Sequence, residues 1–246
     1  MDTPSYAVNV FDTHVTNASL NETLKGKAIL ELGPGDSIST AIIAATHGAR
    51  AILVDAGQYA CTDIATYRTL AAMLRMNGLS SPNLFDAKTI DQILERCSAL
   101  YYSNALRSLK QLKTASVDLI FSQAVLQHIR RSEFLETMRE CRRILKPGGC
   151  CSHVIDLRDH LGGVLNNLRF SEKLWESKLF STSGFYTNRI QFSQMLELFK
   201  QAGFHVDKTE VRRWDQSPIS RDKLASDFLI ASNDDLRVAG FTVLLR

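Results

Sequence analysis

From residue 28 to residue 156 the chain alternates between short unbroken apolar runs and longer stretches in which apolar positions recur every three or four residues. The run AILEL, Ala28–Leu32, sits between Gly26 and Gly33, as expected for a strand buried on both faces. After it, Ile38, Ala41, Ile42 and Ala45 fall on one helical face, with Asp36 or Ser37 placed to cap that helix and Gly48 to stop it. The same reading predicts a second strand over residues 51–54, ending at Asp55, and a helix over 66–77 that breaks at Gly78 and again at Ser81-Pro82-Asn83. A helix near 87–97, strands over 99–103 and 117–122, a helix over 132–145 stopped by Lys146-Pro147-Gly148-Gly149, and a fifth strand over 150–156 complete the series. Strands alternating with helices predict an α/β fold with a doubly wound, Rossmann-like parallel sheet.

Beyond Asp156 the pattern loosens into paired glycines and asparagines with scattered aromatics at Phe170, Trp175, Phe180, Phe185 and Tyr186. Residues 157–190 are therefore expected to form a substrate-side insertion or lid, and residues 1–24 an N-terminal extension, of a single domain covering 1–246. Regularity returns with a helix over 191–202 and strands over 204–211 and 241–245, the last pair supplying an antiparallel edge.

The turn after the first strand, ILELGPGDS, narrows the ligand. In open α/β sheets ligands bind beyond the carboxyl ends of the strands, and glycines let the backbone approach closely. A dinucleotide turn needs a third glycine where this chain has Ile38, and a Walker phosphate loop needs Gly-Lys followed by Ser or Thr, which is missing here. Glu31 would repel a phosphate and suit a cation. Asp55, 20 residues beyond Gly35, has the spacing of an acid that accepts from ribose hydroxyls. A ligand with a ribose and a cationic end but no pyrophosphate is required, and S-adenosylmethionine meets that demand.

Residues 24–149 resemble the class I S-adenosylmethionine-dependent methyltransferases. The resemblance rests on ILELGPGDS, ILVDAG, SNALRSL, VDLIFSQAVLQHI and RRILKPGG, in that order. It implies about seven strands with the last one antiparallel. It further implies that Glu31, Gly33, Pro34 and Gly35 line the methionine and ribose end of the cofactor and that Asp55 holds the ribose hydroxyls with Ala56 nearby. Asn104-Ala105 would reach the adenine, although the family usually has Asp-Ala there, and Ser122 and Gln123 would flank the methionine portion. The later segments SHVIDLRDH, LRFSEKLW, FYTNRIQFSQMLELF and QAGF look like methyltransferases of bacterial polysaccharide and glycan biosynthesis.

A hydroxyl acceptor needs a base. His128, His153 and His160 lie near strand ends, and His160 oriented by Asp156 is the expected arrangement, with His128 as a site wall. Asp159, Tyr186 and Arg189 are expected to touch a glycan substrate, Asn188 lying between the last two. The spacing of Asp156, Asp159 and His160 supplies too few ligands for a metal by itself. Two other acceptor readings stay open: a natural-product or other small-molecule oxygen or nitrogen, and a catalytically silent subunit that binds the cofactor for a partner.

Composition changes little. Apolar residues at 45% and charged residues at 22% describe an ordinary globular protein. A net charge of +3 with no long run of like charges gives no reason to expect nucleic acid. Without a long apolar window or a leader-like start, the reading is cytoplasmic with no stable membrane insertion, a homodimer staying open. The five cysteines include no C-x-x-C pair, so buried reduced thiols are expected.

Overall fold

A computed structural model of the protein describes residues 3–21 and 24–246. Part of the expected extension, Met1, Asp2, Glu22 and Thr23, lies outside the described residues. The rest of that segment is mostly helix, α1 (Pro4–Asn17). Pro4 opens the helix and the Thr3 hydroxyl oxygen accepts from the Tyr6 N–H at 3.3 Å, both favourable at a helix start. Phe11, His14 and Val15 form its buried face.

The chain divides into two compact units. The first comprises Met1–Gln123 and Glu140–Ser152 with Arg246; the second comprises Ala124–Arg139 and His153–Leu245. In the first unit β1 (Ala28–Leu32), β2 (Arg50–Val54), β3 (Leu100–Tyr102) and β4 (Val117–Gln123) run parallel, with Leu30 opposite both Ile52 and Ile120. Four of the five residues of β1 are buried and Glu31 alone is half-buried. Burial on both faces explains why this strand was legible as a continuous apolar run.

Helices α2 (Ser39–Thr46), α3 (Ile64–Met76), α4 (Ile90–Arg96) and α5 (Ala105–Gln111) complete the first unit. Asp63 and Thr89 cap α3 and α4 by accepting from Ala65 and Gln92 N–H groups. Neither Asp36 nor Ser37 caps α2: the cap is Ile38, without a side-chain bond, while the Ser37 hydroxyl accepts from the Ser39 N–H at 3.1 Å. The helix therefore begins one or two positions later than the pattern marks.

Two elements run through both units, α6 (Arg131–Ile144) and β5 (Leu145–Asp156). The expected stop at residues 146–149 is the start of β5, which begins directly after α6. The second unit adds α7 (Glu172–Trp175), α8 (Lys178–Ser181), α9 (Phe192–Gln201), β6 (Val206–Arg213) and β7 (Val238–Leu245). β6 and β7 pair antiparallel, with Val211 opposite Phe241. The strand order is β3-β2-β1-β4-β5-β7-β6, the doubly wound arrangement in which the first βα turn flanks the point where strand order reverses.

The aromatics of the expected insertion are a core. Trp175 is fully buried, with ring centroids 5.5 Å from Phe170, 5.4 Å from Phe180 and 5.8 Å from Phe185. Its indole N–H donates to the Thr187 carbonyl at 2.7 Å. All five cysteines are free thiols, four of them buried, and burial pushes Cys97 and Cys141 up to about 12. No described helix is long and apolar enough to cross a membrane.

Candidate functional site

In the first unit the glycine turn lines a cleft of about 220 Å³. Gly33 and Gly35 have φ of +67° and +65°, the left-handed region that glycine enters without penalty. A Cβ at Gly35 would meet nothing within 4 Å, so the demand for glycine there is conformational. Glu31 and Pro34 line the same cleft, and Gln123 closes it at the end of β4; Ser122 is buried instead. Three wall residues come from α1, namely Tyr6, Ala7 and Val10, and Ser39 and Thr40 come from α2. Sequence reasoning missed the α1 wall. The signal was present in the helical spacing of Ala7, Val10, Phe11 and His14.

Asp55 is buried at 8% exposure and ties the turn down. Its two carboxylate oxygens accept from the Gly35 N–H at 2.8 Å and the Ala56 N–H at 2.6 Å. Burial pushes its carboxyl up while the N–H groups of Gly35, Ala56 and Gly57 pull it down, burial winning. The Asp55 carbonyl accepts from the Ala105 N–H at 2.8 Å, so one residue joins the glycine turn to the start of α5. There Asn104 is exposed and Ala105 is held at φ +42°, a strained value for a residue with a Cβ.

Glu31 is the electrostatic centre of the cleft. Burial by the surrounding protein pushes its carboxyl up to about 7, against a hydrogen bond from Thr40 and with reinforcement from nearby Asp55. Among the described residues lining the cleft there is no Lys, Arg or His. A carboxyl in that state is stabilised in its charged form by a cationic ligand. The sulfonium and ammonium of S-adenosylmethionine fit this chemistry, and Glu31, the glycine turn and Asp55 are the groups that would hold the cofactor.

The second unit gathers the remaining sequence-selected residues differently from expectation. Asp156 does not orient His160. Arg158 takes it, with Nη2 and Nε on the two carboxylate oxygens at 2.7 and 2.9 Å and its own N–H donating at 3.0 Å. Against the upward push of burial, these bonds hold the Asp156 carboxyl below its ordinary value. His160 instead stacks on His128, ring centroids 5.2 Å apart and 11° from parallel. His128 Nδ1 lies 2.9 Å from the Tyr186 carbonyl, which can only accept, so Nδ1 carries the proton and Nε2 the lone pair. The protein packed around the ring lowers the His128 pKa, more than the Tyr186 carbonyl raises it.

Asp159, Tyr186 and Arg189 are buried side chains. Asp159 accepts from the Leu161 and Gly163 N–H groups on Oδ1 and from Asn167 N–H on Oδ2, at 2.9, 3.2 and 3.2 Å, stapling its loop. The Tyr186 hydroxyl donates to the Glu176 carboxylate at 3.1 Å. Arg189 donates to the Asn167 and Phe170 carbonyls and sits over the Trp175 and Phe228 rings, burial lowering it to about 10. Next to it the Asn188 amide donates to the Leu126 and Ile129 carbonyls, fixing the turn that carries His128. Three buried atoms without a protein partner, Gln127 Oε1, Asn167 Oδ1 and Arg189 Nε, belong to residues lining one cavity of about 30 Å³. Two acceptors and one donor complement a single water molecule. Among the described residues no cluster of three His, Cys, Asp or Glu side chains could hold a metal ion.

Comparison with known proteins identifies the family. A protein-family model described as a methyltransferase domain matches residues 30–152, half of the chain. None of the curated protein sequences compared with it matches. Among solved structures, a protein assigned as a sarcosine dimethylglycine methyltransferase from Galdieria sulphuraria superposes with a TM-score of 0.54 at 12% identity, covering 97% of this chain and 85% of that one. Phosphoethanolamine N-methyltransferase 2 of Haemonchus contortus, in complex with S-adenosyl-L-methionine, gives 0.51 at 16% identity over 95% of this chain and 52% of its own. A protein assigned as an S-adenosylmethionine-dependent methyltransferase from Listeria monocytogenes gives 0.50 at 12% identity over 95% and 96%. These identities speak for the fold. With the family match over the strands that build the cleft, the chain belongs to the S-adenosylmethionine-dependent methyltransferases.

Proposed function

We propose that the protein methylates a hydroxyl group of a polar small molecule, with a sugar or glycan intermediate as the acceptor class to test first, and that His128 is the base. The observation carrying this reading is the 2.9 Å contact of His128 Nδ1 with the Tyr186 carbonyl. A neutral imidazole whose Nδ1–H is committed to the Tyr186 carbonyl has Nε2 available for a proton. Bound S-adenosylmethionine supplies a methyl group on a sulfonium that leaves as a neutral thioether. The protein's own work is to hold the two partners and to remove the hydroxyl proton.

His128 Nε2 takes that proton as the oxygen gains its methyl group, and the imidazolium is stabilised by the Tyr186 carbonyl. Burial of the ring, with a smaller contribution from the stacked His160, lowers the His128 pKa and leaves the imidazole neutral at rest. The expected pair of His160 with Asp156 gives way to this arrangement because Arg158 occupies the carboxylate. Buried Tyr186 and Arg189 support the unit that carries His128 and do not offer a glycan surface.

Incubation with labelled cofactor and a panel of nucleotide sugars, glycan fragments, phenols and amines tests the acceptor class. Ether formation on a sugar hydroxyl is the expected product. Transfer to amines alone would overturn the hydroxyl reading, and tight cofactor binding with no transfer to any acceptor would favour a silent partner subunit.

A further inference from the structure

His14 lies on α1, far in sequence from the glycine turn, and is fully buried. Its ring stacks on Phe121 of β4, centroids 4.7 Å apart. Phe11, one turn earlier, packs edge-on to the same Phe121 and stacks on His47, so the helix face bearing His14 is seated. Both ring nitrogens are engaged: Nδ1 is 2.8 Å from the Ser152 hydroxyl oxygen and Nε2 is 3.3 Å from Gln123 Oε1.

These contacts run in one direction. The Asn17 amide donates to the Ser152 oxygen at 3.4 Å, leaving the Ser152 hydroxyl hydrogen for His14 Nδ1. Burial holds the imidazole pKa down to about 4, so the ring carries a single proton at neutral pH. Since Gln123 Oε1 can only accept, that proton is on Nε2. Gln123 thereby has its carbonyl end occupied by His14, and its NH₂ group is the end left for the cleft it lines. The amino-acid end of the cofactor carries an ammonium, which suits Glu31, and a carboxylate. With no cationic side chain among the described lining residues, neutral donors must meet that carboxylate.

We propose that His14 is a positioning residue for cofactor recognition: through the Ser152-His14-Gln123 relay it orients the Gln123 amide to donate to the carboxylate of the methionine moiety. This rests on the cleft being the S-adenosylmethionine site. Ser152, the last residue of the first unit's share of β5, completes the Nδ1 side of the ring, and α1 is built into the recognition.

The test compares two ligands that differ only at the amino-acid end, S-adenosylhomocysteine and 5′-methylthioadenosine, by calorimetry. His14→Phe keeps the stack on Phe121 and loses both hydrogen bonds. It should weaken S-adenosylhomocysteine binding by about tenfold or more, the range for a hydrogen bond to a charged group, and change 5′-methylthioadenosine binding less than about twofold. His14→Gln, whose amide can reach Gln123 Oε1, should recover most of the loss. Should His14→Phe fail to fold, Ser152→Ala, which removes the hydrogen-bond partner of His14 Nδ1, should show the same ligand selectivity to a smaller degree. Equal weakening of both ligands would overturn the proposal, leaving His14 as an anchor for α1, and so would unchanged binding of both. Failure of the unaltered protein to bind S-adenosylhomocysteine would instead sink the cofactor assignment itself.

Discussion

Binding of the cofactor should release a proton from Glu31. With its pKa held at about 7 by burial, the Glu31 carboxyl of the free protein is about nine-tenths protonated at pH 6. A cation placed against it lowers a carboxyl pKa by roughly 1–3 units, so at pH 6 the complex is at least about half ionised. Between roughly 0.4 and 0.9 proton should therefore leave per cofactor bound at pH 6, and close to none at pH 8.5. The affinity should rise with pH by up to about tenfold per unit below pH 7 and level off above it. Titration calorimetry at pH 6 in buffers of different ionisation enthalpy reads the proton number as a slope. Glu31→Gln separates this proton from any change on the ligand, because its slope should lose the Glu31 share and its affinity should weaken most above pH 7. A zero slope at pH 6 in the unaltered protein, with normal binding, would refute the reasoning.

The same group has a consequence for the free protein, where the folded state binds more protons than the unfolded chain between the ordinary value of 4.5 and about 7. Stability should fall as pH rises through that window, and Glu31→Gln should be more stable than its parent at pH 8 by about 1–2 kcal/mol, less than the full shift because one side opens to the cleft; denaturation at pH 5 and pH 8 checks the sign. His128→Ala should reduce kcat by about 10²–10⁴-fold with cofactor affinity unchanged, whereas His160→Ala should cost less than about tenfold; equal effects would return His160 to the role of base. Asp159→Ala removes the acceptor of three backbone N–H groups and should lower stability by about 2–4 kcal/mol, read as a loss of midpoint in urea. Gly240→Ala would set a Cβ 2.5 Å from the Ile155 carbonyl oxygen, and forcing that backbone apart should cost more than about 3 kcal/mol; a thermal shift of under a degree would contradict it.

The first half of the chain was legible because its signals are local. Strands buried on both faces are continuous apolar runs, and β1 falls on the five residues that the pattern marks. Gly33 and Gly35 announce a left-handed turn whatever surrounds it. The C-terminal part resisted for an equally physical reason. The stretch from Phe170 to Tyr186 read only as a loosened insertion or lid because α7 and α8 are a single turn each, too short for helical periodicity to register.

Residue identity alone placed a carboxylate beside the glycine turn and a second at the end of β2, enough to name a cationic, ribose-bearing ligand. Which acid pairs with which base was settled by tertiary structure, since hydrogen bonding depends on distances between groups far apart in sequence. The Tyr186 carbonyl 58 residues away sets the His128 tautomer, and Gln123, 109 residues from His14, sets that of His14; only the pairing of Arg158 with Asp156, two residues apart, is local. The raised Glu31 carboxyl belongs to the same class, because burial is a property of the packed chain and not of the letter at position 31.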